Sequence, residues 1–180
     1  MALPQVSKYT VEDIYNLPEE TRTERLNGQI YYKATPSRTH QKILNYLNTE
    51  INLFIRSKGC ACEVYSTPFA VFLNENNAEY VEPDISVICS PNMLTDKGCI
   101  GAPDWIIEIV SLDSKRMDYY FKLFKYHDNG VREYWIVDAD KNRITVYNFQ
   151  SEDIIEYTFQ DNVKVNIYDD FTIDFSQLRI

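Results

Sequence analysis

Two short apolar runs, Ile85–Cys89 and Trp105–Val110, constrain this chain more than any other feature. Each is short for a helix and too uniformly apolar for a strand with one face in water. Both read as strands of a sheet covered on both faces. Each also carries a carboxylate that such a position does not tolerate alone: Asp84 at the start of the first, Glu108 inside the second. A buried carboxylate is costly unless it is paired or holds a cation. Taken singly, Asp84 is explained as a strand-start cap and Glu108 as half of an ion pair. Taken together, on strands that could lie side by side, they point to a divalent metal site.

The segment that follows brings Lys115, Arg116, Lys122 and Lys125 on an expected helix, capped by Asp113 or Ser114 and stopped at Asn129-Gly130. Asp118, Lys122 and Tyr126 recur at i, i+4 and share one face. Tyr120, Phe121, Phe124 and His127 form the opposing face, which is expected to pack on the sheet. Lys122 and Lys125 are both candidates for a site lysine; a solvated helix lysine is the plain alternative for each. Carboxylate and carbonyl oxygens suit hard cations, so Mg2+ or Mn2+ fits, with the carbonyl of Ile109 as a third oxygen beside Asp84 and Glu108. Such an ion polarises a phosphoryl oxygen and lowers the pKa of a bound water, while a nearby ammonium orients that water.

Elsewhere the chain alternates helix and strand signals. Thr10-Val-Glu-Asp13 starts a short helix that Pro18 ends. Glu24-Arg-Leu-Asn-Gly28 places Asn-Gly at a hairpin turn, with Gln29–Lys33 returning. A helix from His40 to about Arg56 puts Ile43, Leu44, Leu47, Ile51 and Phe54 on one face. His40, in its first turn, reads as a capping or surface residue, or as an anion contact at a helix N-terminus. Cys62–Leu73 is one long strand, or two with a bulge at Pro68. Tyr80–Cys89 is the Asp84 strand, and Ser90–Gly101 a loop. Tyr134–Val137 is a buried strand, Arg143–Phe149 a hairpin partner, and Ile154–Phe159 with Val163–Ile167 a further hairpin. These elements predict one α/β domain over residues 1–180, with a mixed central sheet and a β-rich C-terminal extension.

Several classes are disfavoured. The G-x-G-x-x-G, P-loop and G-x-S-x-G patterns are missing from the sequence. No stretch approaches the length of an apolar membrane span, and the start of the chain does not read as a signal peptide; a cytoplasmic protein is expected. Cys60, Cys62, Cys89 and Cys99 are not spaced as a zinc knuckle or a disulfide framework, so reduced thiols are expected. The net charge of −9 counts against a polyanionic partner, but from Gln150 onward seven acids face only Lys164 and Arg179. The rest of the chain is much closer to neutral and leaves room for a local basic groove.

The strings EPDISVI, APDWIIEIVS, D-x-x-x-K-L-x-x-Y and GVREYWIVD resemble the Uma family of restriction-endonuclease-like proteins, within the PD-(D/E)XK nuclease superfamily. The resemblance extends from Glu24-x-x-Asn-Gly28 through His40 to Asp138. It implies a restriction-endonuclease-like αβββαβ core and a metal-dependent phosphodiesterase acting on DNA. Asp84 matches the PD aspartate and Glu108 the (D/E) position. Val110 stands where the superfamily has its lysine; Lys122 matches the position to which this family moves it. Glu24 and His40 match recurring positions of accessory role. Ser111-Leu-Asp-Ser114 and Gln29 depart from the family pattern without removing a proposed metal ligand. A homodimer is expected for two-strand scission. The rival reading is a binding or assembly module that keeps the fold without catalysis.

Overall fold

The computed structural model describes residues 9–18, 21–74, 79–111 and 117–180. Helix α1 (Val11–Tyr15) is held by the expected capping box between Thr10 and Asp13. Strands β1 (Thr23–Leu26) and β2 (Gln29–Tyr32) form the Asn-Gly hairpin, with both Asn27 and Gly28 at positive φ. Helix α2 (Arg38–Lys58) begins two residues before the expected start, because the Ser37 side chain caps it by accepting from the His40 N–H. Then follow β3 (Glu63–Ser66), β4 (Val71–Phe72), β5 (Tyr80–Val81), β6 (Ile85–Ile88), β7 (Leu94–Thr95), β8 (Gly98–Ile100) and β9 (Trp105–Ile109). A π-helical turn, Met117–Lys122, runs into α3 (Leu123–Asp128). The chain closes with β10 (Glu133–Asp138), β11 (Arg143–Asn148), β12 (Asp153–Tyr157), β13 (Asn162–Lys164) and β14 (Thr172–Asp174).

The main sheet has the order β12-β11-β10-β9-β6-β3, and a second sheet the order β2-β1-β5-β4-β8-β7. Among the described residues, β9 and β10 are the one parallel pair of the main sheet, and β4 with β8 the one of the second. The main sheet is therefore mixed, as expected, and the second sheet, which was not expected, is mixed as well. One face of the main sheet takes Ile43, Leu47 and Ile51 of α2, together with Val163, Phe171 and Phe175 from the C-terminal extension. The other face takes Tyr126 of α3 and, from the second sheet, Leu26, Val71 and Val81. Along β9 the alternation is clean: Trp105, Ile107 and Ile109 enter the first core and Ile106 the second.

Several expectations are corrected. Cys62–Leu73 takes the second of its two readings, two strands parted at Pro68, with a change of sheet in place of a bulge, and the single strand expected over Tyr80–Cys89 is broken at Pro83. At Pro68 the chain leaves the main sheet (β3) for the second (β4), and at Pro83 it returns (β5 to β6). Proline cannot donate to a ladder, so each marks the crossing. The expected loop over residues 90–101 contains the small β7–β8 hairpin. β12 pairs with β11, and β13 with β14, rather than β12 with the strand after it. The helix caps expected at Asp113 and Ser114, and Lys115 and Arg116, lie outside the described residues.

The thiol expectation also fails for one pair. Cys62 and Cys89 form a disulfide, while Cys60 and Cys99 are free. The cause is register: β3 pairs antiparallel with β6 up to Glu63 opposite Ile88, and the next step sets Cys62 beside Cys89.

Glu133 anchors the extension. Fully buried, it accepts from Trp135 Nε1 (2.7 Å) and from the backbone N–H groups of Asn166 (2.7 Å) and Ile167 (2.9 Å). Burial raises its pKa, and those bonds oppose the rise. Truncation by Glu133→Ala leaves these donors without an acceptor, so it is expected to cost about 3–5 kcal/mol in urea unfolding. Glu133→Gln, which keeps a carbonyl acceptor, is expected to cost less than half as much.

Candidate active site

β6 and β9 pair antiparallel, with Ile85 opposite Ile107 and Ser86 opposite Ile106. One step beyond, the same register sets Asp84 beside Glu108, on the face away from α2. Cross-strand neighbours of this kind bring Cβ atoms to about 5 Å. The sheet crossing at Pro83 frees the Asp84 side chain to reach over the strand end, where its carboxylate accepts the Ile109 N–H at 2.8 Å. On its other side, Asp84 Oδ2 lies 3.1 Å from His40 Nε2, in the first turn of α2. Burial works against the Asp84 charge. The His40 hydrogen bond, the Lys33 ammonium and the Ile109 N–H outweigh it and hold the carboxyl below its ordinary pKa.

Glu108 points toward α3. Its Oε1 accepts from Lys122 Nζ at 2.8 Å and from the Tyr126 hydroxyl at 2.7 Å. Lys122 Nζ also lies 2.9 Å from Glu24 and 3.5 Å from Asp118. Glu24 in turn takes the Lys33 ammonium at 3.3 Å and the Glu82 N–H at 3.1 Å. Lys122, Glu108, Glu24 and Asp118 are each at most 3 % exposed. The face expected to pack on the sheet is therefore reversed. Asp118, Lys122 and Tyr126 turn inward, while Tyr120 and Phe124 are more than 60 % exposed. The side chains that turn inward are mutually paired, as burial of an ion requires, and Tyr126 and Leu123 pack beside them on the second core. Lys125 is outside this cluster, paired with Glu79 at 2.7 Å.

The charges do not balance. Glu24, Asp84, Glu108 and Asp118 face the ammonium groups of Lys122 and Lys33, leaving an excess of negative charge. Two effects follow. Burial first, then the neighbouring Asp118 and Asp84, push Glu108 up to about 8 against the opposing pull of Lys122. Burial disfavours the Lys122 charge, yet Glu108, Glu24 and Asp118 more than offset it and raise its pKa well above the ordinary lysine value. Glu24 is lowered, because Lys122 and Lys33 outweigh its burial.

All five sequence-selected side chains, Glu24, His40, Asp84, Glu108 and Lys122, line one cavity of about 160 Å³, as does Ile109. A larger groove of about 750 Å³ lies elsewhere, between α1 and the β7–β8 hairpin, and holds no comparable cluster. Sequence reasoning missed Lys33 and the inward role of Tyr126. Lys33 closes the hairpin that carries Glu24, and Tyr126 lies one helical step beyond Lys122; those spacings were the available signals. No three His, Cys, Asp or Glu side chains among the described residues converge as a ready-made metal cage. The donor set still fits magnesium or manganese: it is all oxygen, it carries excess negative charge, and these ions need only one or two carboxylates beside water and phosphate oxygens. His40 Nδ1 is buried and without a hydrogen-bond partner.

An uncharacterized protein of Synechocystis sp. (strain ATCC 27184 / PCC 6803 / Kazusa), slr1290, is 26% identical over 151 residues, or 77% of each chain. The crystal structure of a protein from Anabaena variabilis ATCC 29413, described as "a putative nuclease belonging to DUF820", superposes with a TM-score of 0.76 at 22% identity. The match covers 94% of this chain and 96% of that one, and it shows that the two share a fold. A family model described as "Putative restriction endonuclease" matches residues 11–178. With nearly the whole chain matched, and with Asp84, Glu108 and Lys122 brought to one cavity, this protein belongs to the Uma2 family.

Proposed function

We propose that this protein is a divalent-metal-dependent DNA endonuclease, with Asp84 and Glu108 as metal ligands and Lys122 as the site lysine. The observation that carries the reading is the meeting of these three buried groups in the lining of one cavity, with Lys122 bonded to Glu108. Bound magnesium or manganese, held by Asp84, Glu108 and the Ile109 carbonyl, would supply Lewis-acid polarisation of the phosphoryl oxygen and an activated water. The chain itself supplies position and charge. His40 and the Ile109 N–H fix the Asp84 carboxylate, and Tyr126 and Lys122 fix that of Glu108. The Lys122 ammonium, held in place by Glu24, offsets negative charge developing on the transferred phosphoryl group. The reading includes a cytoplasmic homodimer in which each copy cuts one strand. Among the described residues no helix is long and apolar enough to cross a membrane.

A second reading, a nuclease-fold binding module, is favoured by the net charge of −9 and by the commitment of Lys122 to three carboxylates. Incubation of supercoiled plasmid with the protein and magnesium or manganese separates the two. Cutting is expected, and Asp84→Asn or Glu108→Gln is expected to lower its rate by about 10²–10³-fold, the scale of losing one transition-state contact. Equal cutting by the wild type and Asp84→Asn, or none by either, sinks the nuclease reading for DNA.

Lys122→Met strands buried carboxylates, and is expected to cost about 3–5 kcal/mol in denaturant unfolding as well as activity. Glu108→Gln placed in the same chain should recover part of that stability and none of the activity.

Metal binding should also be linked to protons. A Glu108 carboxyl held at about 8 is largely protonated at neutral pH and must ionise to hold an ion. Calorimetry in buffers of different ionisation enthalpy is expected to show release of about one proton per ion bound near neutral pH. Affinity should rise with pH until Glu108 is ionised and then level off; a pH-independent affinity would remove Glu108 from the ligand set.

A further inference from the structure

The Lys122 ammonium is too deeply committed to touch a substrate. An ammonium has three N–H donors. Those of Lys122 face Glu108 at 2.8 Å, Glu24 at 2.9 Å and Asp118 at 3.5 Å, and its side chain is 3 % exposed. A phosphate oxygen would reach it only by displacing one of these carboxylates, which would then lie buried and unmet. Lys122 therefore acts on a phosphate from a distance.

A second ammonium, that of Lys33, lines the same cavity. Lys33 follows β2, and its backbone N–H bonds the Arg22 carbonyl to close the hairpin. Its Nζ donates to the carbonyl of Glu82, two residues before Asp84, and to Glu24 Oε1 at 3.3 Å. Among the described residues these are its two partners: a neutral carbonyl, and a long contact with a carboxylate that Lys122 already holds. Tying the hairpin to the Glu82 segment thus accounts for two donors and leaves the third. The Lys33 side chain is 18 % exposed, six times as much as that of Lys122, so solvent reaches it. Its charge helps to lower Glu24 and Asp84 and opposes the rise of Glu108. It therefore stands close to both proposed metal ligands. Arg22, also in the lining, is turned instead to Thr67 and Glu82.

Resting on the phosphodiesterase reading of this cavity, we propose that Lys33 is the ammonium that touches the substrate: its third N–H donates to a non-bridging oxygen of the scissile phosphodiester, while Lys122 stays behind and holds the carboxylates. Negative charge grows on that oxygen as water attacks, so the bond strengthens toward the transition state.

The test compares the full chain with Lys33→Met and Lys33→Arg by urea unfolding, manganese calorimetry and plasmid cutting. A fourth measurement is phosphorus NMR of thymidylyl-thymidine, which has a single phosphodiester, titrated in calcium. Lys33→Met is expected to unfold cooperatively and to bind manganese at least as tightly as the wild type, since a cation beside the ligands is gone. It is expected to lower the cutting rate at saturating DNA by about 10²-fold. Dinucleotide binding should weaken about 10-fold or more, the loss of one charge-assisted hydrogen bond. Lys33→Arg, which keeps the charge and the donors, is expected to recover part of both. A purely structural lysine predicts the reverse: a weaker fold, with cutting and dinucleotide binding per folded molecule unchanged. That result overturns the inference. Asp84-dependent cutting in which Lys33→Met matches the wild type also overturns it, and leaves the nuclease reading intact. Lys33-dependent dinucleotide binding without cutting by the wild type upholds the phosphate contact and removes the nuclease. Absence of both in the wild type overturns both. Should Lys33→Met fail to fold, Lys33→Gln, which keeps a donor for the Glu82 carbonyl, takes its place and is read in the same way.

Discussion

The contact on which this structure depends is the Lys122 ammonium buried among Glu24, Glu108 and Asp118. It ties three separate pieces together: the β1 hairpin strand through Glu24, the central strand β9 through Glu108, and its own helix through Asp118. Removing charges from water is expensive, so a cluster of this kind persists only where each member is met. That demand sets the rotation of the helical segment. Tyr126 follows Lys122 inward and donates to Glu108, and the aromatic residues on the opposite side are left facing solvent. The inward side is apolar as well as charged, since Tyr126 is fully buried and Met117, Tyr119 and Leu123 pack on the second core.

The backbone makes room for the cluster by crossing between sheets. β3 leads into β4, and β5 into β6, and both crossings lie at prolines, Pro68 and Pro83. The two crossings are neighbours, since the Thr67 N–H bonds the Asp84 carbonyl. A strand that continued straight would keep Asp84 in a ladder with its side chain against the core. Released at the crossing, the carboxylate instead turns over the end of β9, to the Ile109 N–H and His40.

What was legible in the sequence follows from these causes. The adjacency of Asp84 and Glu108 could be read, because apolar runs bounded by turn residues announce buried strands and a charge inside one announces a reason for it. The i, i+4 spacing of Asp118, Lys122 and Tyr126 placed them on one face. Which face turns inward was not legible: hydropathy favours Tyr120 and Phe124, and the compensating carboxylates Glu24 and Glu108 are distant in sequence. The Cys62–Cys89 disulfide was hidden for a similar reason, since it follows from the β3–β6 register and not from spacing. The β13–β14 pairing escaped because turn signals at Asp161-Asn162 fit either neighbour, and only burial of Val163 and Ile173 against the α2 side of the main sheet decides between them.

On the proposed reading an acidic chain acts on a polyanion and needs a local solution, which the cavity would supply. With four carboxylates around two ammonium groups, the cluster repels phosphate as long as it holds only its own charges. Burial first, and then the neighbouring Asp118 and Asp84, push Glu108 up to about 8, and a proton there relieves part of the excess. On the proposed reading a divalent ion would relieve it more fully and would present positive charge to an incoming phosphate, so the bound cation favours the phosphate. Lys122 fixes the geometry of three carboxylates, and on the proposed reading a bound cation would add the charge that its shared ammonium does not supply alone.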